Sequence, residues 1–142
     1  MADLKIERMI DAPSPKVWKA LTDPAELKHW MSFFDGFQPV VGHEITFKLG
    51  RDPQHQYTHI SKVIEVIEGK KLTYGWRYDG YGGDSHVTFE LFPKGGKTRV
   101  VLTHSILEPF PVDNPDFSSS NFDKGWNFTA DGLKNYVEKQ ES

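Results

Sequence analysis

The clearest periodic pattern in this chain lies near its C-terminal end, in residues Ser120 to Glu141. Apolar residues recur there at steps of three and four, which predicts a helix of about 30 Å with one apolar face. No second helical pattern of that length exists in the sequence, so we expect the helix to pack across a sheet. The predicted apolar face consists of Phe122, Trp126, Thr129, Ala130, Leu133, Tyr136 and Val137. The predicted solvent-exposed face consists of Asp123, Lys124, Asn127, Asp131, Lys134 and Glu138.

Two features of this helix concern its start and its packing. Ser120 is placed to cap the helix, and Asp123 three positions later would complete a capping box. Gly125 and Gly132 lie two turns apart on one side, and each costs the helix about 1 kcal/mol relative to alanine. The two glycines are explained either by close packing against strands or by open space for a ligand beneath the helix.

The rest of the chain combines strands with two short helices. Residues Leu4 to Ile10 alternate between apolar and polar positions, which predicts a first strand. Two short helices follow, with Ser14 and Asp23 as N-caps, each followed by a proline. From Glu44 onward, five strands with a period of two are separated by glycine-containing turns. The predicted fold is α+β: a curved, antiparallel, six-stranded sheet, two short helices after strand 1, and a long C-terminal helix packed across the sheet.

One face of the predicted sheet is apolar and should lie beneath the long helix. The segment from residue 55 to residue 67 is less regular, because Tyr57 and His59 are out of phase with Ile60 and with the apolar residues after it. We therefore expect a β-bulge near Ser61. The residues expected on the covered face are Ile45, Phe47, Leu49, Leu72, Tyr74, Trp76, Tyr78, Val87, Phe89, Leu91, Val100, Leu102 and His104.

Composition excludes several classes of function. The formal net charge is −3 with both signs interspersed, so neither nucleic acid nor an anionic membrane is an expected partner. Cysteine is absent, which excludes disulfides and thiol catalysis and is typical of an intracellular protein. The first residues lack the layout of a signal peptide, and no apolar run reaches membrane-spanning length, so the expected location is the cytoplasm. A chain of 142 residues predicts one domain, residues 1–142.

Few motifs with a defined chemistry are present. Gly96, Lys97 and Thr98 resemble the end of a phosphate-binding loop, but Leu91 stands where that loop needs a glycine, and a hairpin turn is the better interpretation. His55 and His59 have the spacing of helical zinc ligands, but the local pattern is that of a strand, so no metal site is predicted. No nucleophile elbow or carboxylate pair stands out, and no cofactor and no catalytic residue are predicted.

His104 is the titratable residue expected to point inward, because it follows Val100 and Leu102 in phase. Two interpretations stay open: a histidine hydrogen-bonded to a tyrosine or a backbone carbonyl, and a polar anchor or general base in an apolar pocket. The aromatic residues around it would line that pocket or form plain core, and the proline-rich loop from Leu107 to Ser119 would act as a lid. The predicted ligand-binding residues are Phe47, Tyr74, Trp76, Tyr78, Phe89, Leu102, His104, Phe122 and Trp126.

A more specific motif occupies residues 12–24, which read Ala-Pro-Ser-Pro-Lys-Val-Trp-Lys-Ala-Leu-Thr-Asp-Pro. Leu27 and Trp30 follow it, and Gly125 and Trp126 precede Leu133 in the long helix. With these residues the chain resembles the homologues of the heat-shock-protein-90 ATPase activator, within the START-like, birch-pollen-allergen-like helix-grip superfamily. The resemblance runs over nearly the full chain, and it implies a cavity between helix and sheet that the superfamily uses for apolar ligands.

Three functions follow from the residues and the resemblance together. The first is non-catalytic binding of a small, largely apolar, lipid-like or polycyclic ligand between the C-terminal helix and the sheet. The alternatives are a co-chaperone-like protein-interaction domain with a chaperone partner, and a cyclase- or aromatase-like enzyme on the same fold. The resemblance covers one of the two domains of the eukaryotic co-chaperone, so we expect the chain by itself not to stimulate a chaperone ATPase.

Overall fold

The computed structural model describes residues 3–50, 53–54 and 56–139, and it confirms the predicted α+β helix-grip fold. A curved antiparallel sheet carries the long C-terminal helix across one face. The strands are β1 (Leu4–Ile10), β2 (Glu44–Gly50), β3 (Gln56–Ile67), β4 (Lys71–Gly75), β5 (Arg77–Tyr78), β6 (Asp84–Lys94) and β7 (Lys97–Glu108). The helices are α1 (Ser14–Thr22), α2 (Pro24–Trp30) and α3 (Ser119–Lys139), and a short 3-10 helix (Pro115–Phe117) precedes α3.

The sheet has the strand order β1-β7-β6-β4-β3-β2, and the two-residue strand β5 pairs with β3. The structure therefore has one strand more than the predicted six, because the strand predicted through Leu72 and Tyr78 is divided at Trp76. At this point the Trp76 N–H donates to the Ser85 carbonyl at 2.9 Å, and the Ser85 hydroxyl donates to the Trp76 carbonyl at 2.6 Å. Ser85 itself follows a register shift at the start of β6. The chain is thus held to β6 at Trp76 and then crosses to pair with β3.

The irregularity in β3 lies further along the strand than expected. β3 pairs with β2 over residues 56–62 and with β4 over residues 63–67, and the register shifts between Val63 and Glu65 rather than near Ser61. Before the shift, His59, Ser61 and Val63 are buried on one face, whereas Ile64 is exposed. His59 therefore points to the concave face of the sheet.

The two short helices begin as the prolines indicate, but only one predicted cap forms. Asp23 caps α2, because its carboxylate accepts a hydrogen bond from the Ala25 N–H at 3.0 Å. Ser14 does not cap α1: Pro13 occupies the N-cap position, and the Ser14 hydroxyl lies 3.1 Å from the hydroxyl of Thr98 on β7. The serine therefore ties α1 to the sheet instead of completing the end of its own helix.

Helix α3 begins slightly earlier than predicted. Its capping group is Ser118 rather than Ser120, since the Ser118 hydroxyl accepts from the Asn121 N–H at 3.2 Å. Trp126, Ala130, Leu133 and Val137 are buried, which confirms the phase of the predicted apolar face. The predicted end of the helix, from residue 140 onward, lies outside the described residues.

The C-terminal half of α3 is closed against the rest of the molecule. Asp131 accepts a hydrogen bond from Arg8 of β1 at 2.8 Å, and the Nζ of Lys134 donates to the Met9 carbonyl at 2.7 Å. Lys134 is consequently half-buried, although the sequence predicts it as exposed. A Cβ on Gly132 would lie 3.6 Å from the ring of Trp30, so this glycine packs against α2 rather than against strands.

The N-terminal half of α3 is open along one flank. A Cβ on Gly125 would meet no atom within 4 Å. Gly125 precedes the buried Trp126 by one residue, or about 100° around the helix axis, which places it on the flank facing β2 and β3. Gly132 is thus closely packed, although against α2 and not against the strands expected, and Gly125 borders open space on the flank of the helix. Among the described residues, no helix combines the length and the apolar composition that crossing a bilayer requires.

Candidate functional site

A cleft of about 470 Å³ lies between the open flank of α3 and strands β2, β3 and β5. Its floor and walls are largely aromatic, and its mouth carries the side chain of Phe128, which is 79% exposed to solvent. A concave, mostly apolar site with a few polar groups is the usual form of a small-molecule site. The lining residues are Phe33, Leu49, Gly50, Tyr57, His59, Trp76, Tyr78, Asp116, Phe117, Asn121, Phe122, Lys124, Gly125, Trp126, Phe128 and Thr129.

The aromatic wall between sheet and helix is built around Trp76. Its ring meets that of Trp126 edge to face, with centroids 4.7 Å apart, which joins the sheet to the buried stripe of α3. Such contacts contribute about 0.5–1.5 kcal/mol beyond the burial of area. The same indole meets the ring of His59 at 5.2 Å. Trp76, where the chain leaves its regular pairing, therefore lines the cleft and contacts both α3 and β3.

His59 and Tyr78 form a cross-strand pair on the cleft floor. The two residues are directly opposite each other in the register of β3 and β5, so their side chains emerge on the same face of the sheet. Their rings are nearly perpendicular, at 73°, with centroids 4.7 Å apart. Antiparallel pairing between β3 and the two-residue strand β5 is what brings this histidine and this tyrosine together.

The hydrogen bond of His59 determines which of its nitrogens carries the proton. Nδ1 lies 2.9 Å from the carbonyl oxygen of Tyr57. A carbonyl can only accept, so Nδ1 donates, and in the neutral ring Nε2 carries a lone pair. Burial lowers the pKa of His59 from 6.5 to about 4, so the ring is neutral at pH 7. Within the described part of the chain, Nε2 has no hydrogen-bond partner.

Tyr78 presents the complementary polar atom. Its oxygen accepts a hydrogen bond from the indole Nε1–H of Trp76 at 3.1 Å. The described residues provide no acceptor for its own hydroxyl proton. Burial raises the pKa of Tyr78 above its ordinary value, so the hydroxyl stays protonated near neutral pH. The cleft floor therefore offers a hydrogen-bond acceptor and a hydrogen-bond donor on neighbouring rings.

The loop before α3 closes one end of the cleft. Phe117 is buried, and its ring stacks on that of Tyr78 with centroids 4.7 Å apart. The hydroxyl of Tyr57 donates to the carboxylate of Asp116 at 2.6 Å and accepts from the amide of Asn114 at 3.2 Å. The hydrogen bond to Asp116 raises the pKa of Tyr57. The proline-rich loop is thus anchored to β3 at the position where the sequence predicts a lid.

His104 lies behind the cleft lining rather than in it. Its Nε2 is 2.9 Å from the hydroxyl of Ser85, which donates its own proton to the Trp76 carbonyl. Nε2 must therefore be the protonated nitrogen, and the partner is a serine, neither the tyrosine nor the backbone carbonyl expected. Burial lowers the pKa of His104 to about 4. Its ring contacts the rings of Phe122 and Trp126, so the histidine supports two residues that do line the cleft.

The structure separates the nine sequence-predicted binding residues into groups. Phe47 stacks behind His59 with centroids 5.0 Å apart, and Tyr74 packs against Phe34 on the far side of the core. Phe89 and Leu102 face the closed half of α3, where the remaining void admits no water molecule. The role of these residues in binding stays a prediction. Those that line the cleft are Trp76, Tyr78, Phe122 and Trp126.

Sequence reasoning missed His59 as a site residue and interpreted it as a surface or strand histidine. The missed signal is the alternation of Tyr57, His59, Ser61 and Val63, which has the period of a strand with one buried face. The more apolar Ile60 and Ile64 suggested the opposite phase. His55, which has the spacing of a zinc ligand relative to His59, lies outside the described residues.

The fold and the cleft define a START-like helix-grip domain. The chain belongs to the family of Activator of Hsp90 ATPase homolog 1-like proteins, whose model matches residues 11–138. Members of this fold commonly bind hydrophobic ligands. No match was found among curated proteins.

Solved structures of similar proteins share the fold. Protein CV1439 from Chromobacterium violaceum has a TM-score of 0.77 and 21% sequence identity, with 96% of each chain covered. Protein MLL2253 from Mesorhizobium loti has a TM-score of 0.75 and 25% identity, with 97% of this chain and 98% of that chain covered. DynU16, described as a protein in the dynemicin biosynthetic locus, has a TM-score of 0.74 and 20% identity, and the match covers 96% of this chain and 47% of DynU16.

Proposed function

We propose that the protein binds a small, largely apolar, ring-containing molecule in the cleft beside α3, without changing it chemically. The observation that carries the proposal is the open flank at Gly125. This glycine costs the helix stability, yet a Cβ added at its position would meet no atom within 4 Å. The space lies over aromatic side chains that offer flat apolar surface to a ligand.

The size and the lining of the cleft support a ligand of moderate affinity. A ligand that buries roughly 300 Å² of apolar surface gains several kcal/mol at about 25 cal/mol per Å². The entropy lost on association offsets part of this gain, so we expect dissociation constants on the order of micromolar. The fold's common use for hydrophobic ligands is consistent with this proposal, as is the biosynthetic-locus setting of DynU16.

The test is a titration of the purified protein with flavonoids, sterols, fatty acids and polyketide-like rings. Binding in the cleft should quench or shift tryptophan fluorescence, because Trp76 and Trp126 line it, and should move the backbone amide resonances of residues 57–59, 76–78 and 121–129. The bound compound should be recovered with its mass unchanged. A changed mass would replace the binding function with catalysis, and a panel without any binder would refute the proposal.

Two exposed phenylalanines provide a matched pair of variants. Phe128 lines the mouth of the cleft and is 79% exposed, whereas Phe92 lies on β6 outside the cleft and is 42% exposed. Phe128→Ser should weaken binding by up to about tenfold, because a ligand at the mouth covers that ring. Phe92→Ser should leave the affinity unchanged. Equal effects of the two substitutions would place the ligand elsewhere.

A further inference from the structure

The cleft floor carries one hydrogen-bond acceptor and one hydrogen-bond donor that no described residue uses, in an otherwise aromatic surface. His59 presents the lone pair of Nε2, and Tyr78 presents a hydroxyl proton. Both side chains are buried and line the cleft, and they are fixed opposite each other by the pairing of β3 with β5. Their rings are in contact, yet no hydrogen bond joins Nε2 to the tyrosine hydroxyl. A single polar atom of a ligand placed between the two groups could use both the lone pair and the proton.

We infer that the ligand of this cleft carries a hydroxyl group on its ring system, which donates a hydrogen bond to His59 Nε2 and accepts one from the Tyr78 hydroxyl. This inference rests on the proposed binding function and specifies the chemical class of the ligand. The ring system would lie against Trp76 and Trp126, and the hydroxyl would point to the cleft floor.

The two protein atoms discriminate between ligand groups by their opposite requirements. A carbonyl or an ether oxygen can accept from Tyr78 but offers no proton to His59. An ammonium group can donate to His59 but offers no lone pair to Tyr78. A hydroxyl does both through one atom. A site with buried groups awaiting a hydroxyl rejects the analogue that lacks it, because those groups then stay unpaired.

The position of the proton on each side chain is fixed by a hydrogen bond within the protein. The Tyr57 carbonyl keeps the His59 proton on Nδ1, and the Trp76 indole occupies one lone pair of the Tyr78 oxygen. Neither arrangement needs a ligand to form. The acceptor and the donor are therefore preorganised, which reduces the cost of ordering them on binding.

The experiment compares 7-hydroxyflavone, 7-methoxyflavone and flavone by isothermal titration calorimetry. The three compounds share their rings and carbonyl, so differences in affinity isolate the hydroxyl. We expect 7-hydroxyflavone to bind about tenfold more tightly than the other two, the effect of one well-placed hydrogen-bonding group. Long-range proton–nitrogen spectra should show the His59 Nε2 resonance moving upfield with 7-hydroxyflavone and staying in place with flavone.

Substitutions assign the preference to the two residues. In His59→Phe and in Tyr78→Phe, the three flavones should bind within about twofold of one another. Tyr81→Phe is the matched control: Tyr81 is 45% exposed and does not line the cleft, so its variant should keep the hydroxyl preference. If a variant does not fold, the Nε2 resonance of the wild-type protein still decides the question.

The outcomes separate this inference from the proposed function. Equal binding of all three flavones to the wild-type protein, with Nε2 unmoved, would overturn the hydroxyl inference and leave apolar binding intact. A preference for 7-hydroxyflavone that survives both substitutions would also overturn it. No binding of any of the three, together with no binding of any other compound in the panel, would overturn the proposed function and the inference together.

Discussion

The substitution Gly125→Leu should stabilise the protein and block its cleft at the same time. Gly125 lies on the open flank of α3, and a Cβ added there meets no atom within 4 Å. Leucine is a strong helix former, whereas glycine costs a helix interior up to about 1 kcal/mol. The new side chain would project over the aromatic wall of the cleft and occupy the space assigned to the ligand.

The two effects have magnitudes that follow from the structure. The gain in helix propensity, about 0.8 kcal/mol, adds to partial burial of the leucine at about 0.8 kcal/mol per covered methylene. With about one methylene covered, we expect the free energy of unfolding to rise by about 1.5 kcal/mol and the melting temperature by about 5 °C. Ligand affinity should fall at least about tenfold, because the ligand must displace the leucine or bind in a smaller space.

Urea denaturation and calorimetric titration measure the two effects separately. Gly132→Ala is the matched control, since it gives a similar gain in propensity in the closed half of the helix, where its Cβ makes an ordinary 3.6 Å contact with Trp30. Its affinity should stay within about twofold of the wild type. A destabilised Gly125→Leu would show that the flank is not open. Unchanged affinity in that variant would show that the ligand binds outside the cleft.

Three further predictions concern the buried polar groups. From pH 7 to pH 5 the free energy of unfolding should fall by about 2 kcal/mol for each of His59 and His104. The pKa of each histidine is about 4 in the folded protein and 6.5 in the unfolded chain, so acidification protonates the unfolded chain first and favours it. This stability is present above pH 6.5 and is lost on acidification toward pH 4. Urea denaturation at a series of pH values would contradict the prediction if the free energy of unfolding of His59→Phe fell as steeply with pH as that of the wild type. Ser61→Ala should raise the free energy of unfolding by up to about 1 kcal/mol, because the Ser61 hydroxyl is buried without a partner among the described residues. A lower free energy of unfolding in urea denaturation would contradict this and would indicate a partner such as a bound water molecule. Tyr57→Phe should speed amide hydrogen exchange in residues 114–118, since it removes the hydrogen bond to Asp116 that anchors the loop, and unchanged exchange would show that the aromatic contacts alone hold it.

The fold could be predicted from the sequence because its signals are local and repeated. The stripe through Trp126, Leu133 and Val137 has the period of a helix, and each turn of the stripe agrees with the next. The strands between the glycine-containing turns have a period of two over several residues. The division of one strand at Trp76 could not be predicted, since it depends on Ser85, nine positions later, which bonds both backbone groups of the tryptophan.

The site was harder to predict because its position depends on which face of β3 is buried. A register shift of one residue exchanges the two faces of a strand, and the shift between Val63 and Glu65 separates two segments of opposite phase. Reading β3 from Ile60 and Ile64 placed His59 outside. His104 was placed inside correctly, but a phase argument cannot distinguish a side chain that lines a cavity from one that supports the lining.

The two halves of α3 explain how an open cleft can coexist with a stable domain. The closed half is fixed by Arg8 to Asp131, by Lys134 to the backbone of β1, and by Leu133 and Val137 in the core. These contacts fix the closed half of the helix on the sheet, and the Trp76–Trp126 contact supports the open half, so we expect the flank at Gly125 to stay open. The cleft is therefore present without a ligand, and we expect binding to require little rearrangement of the helix.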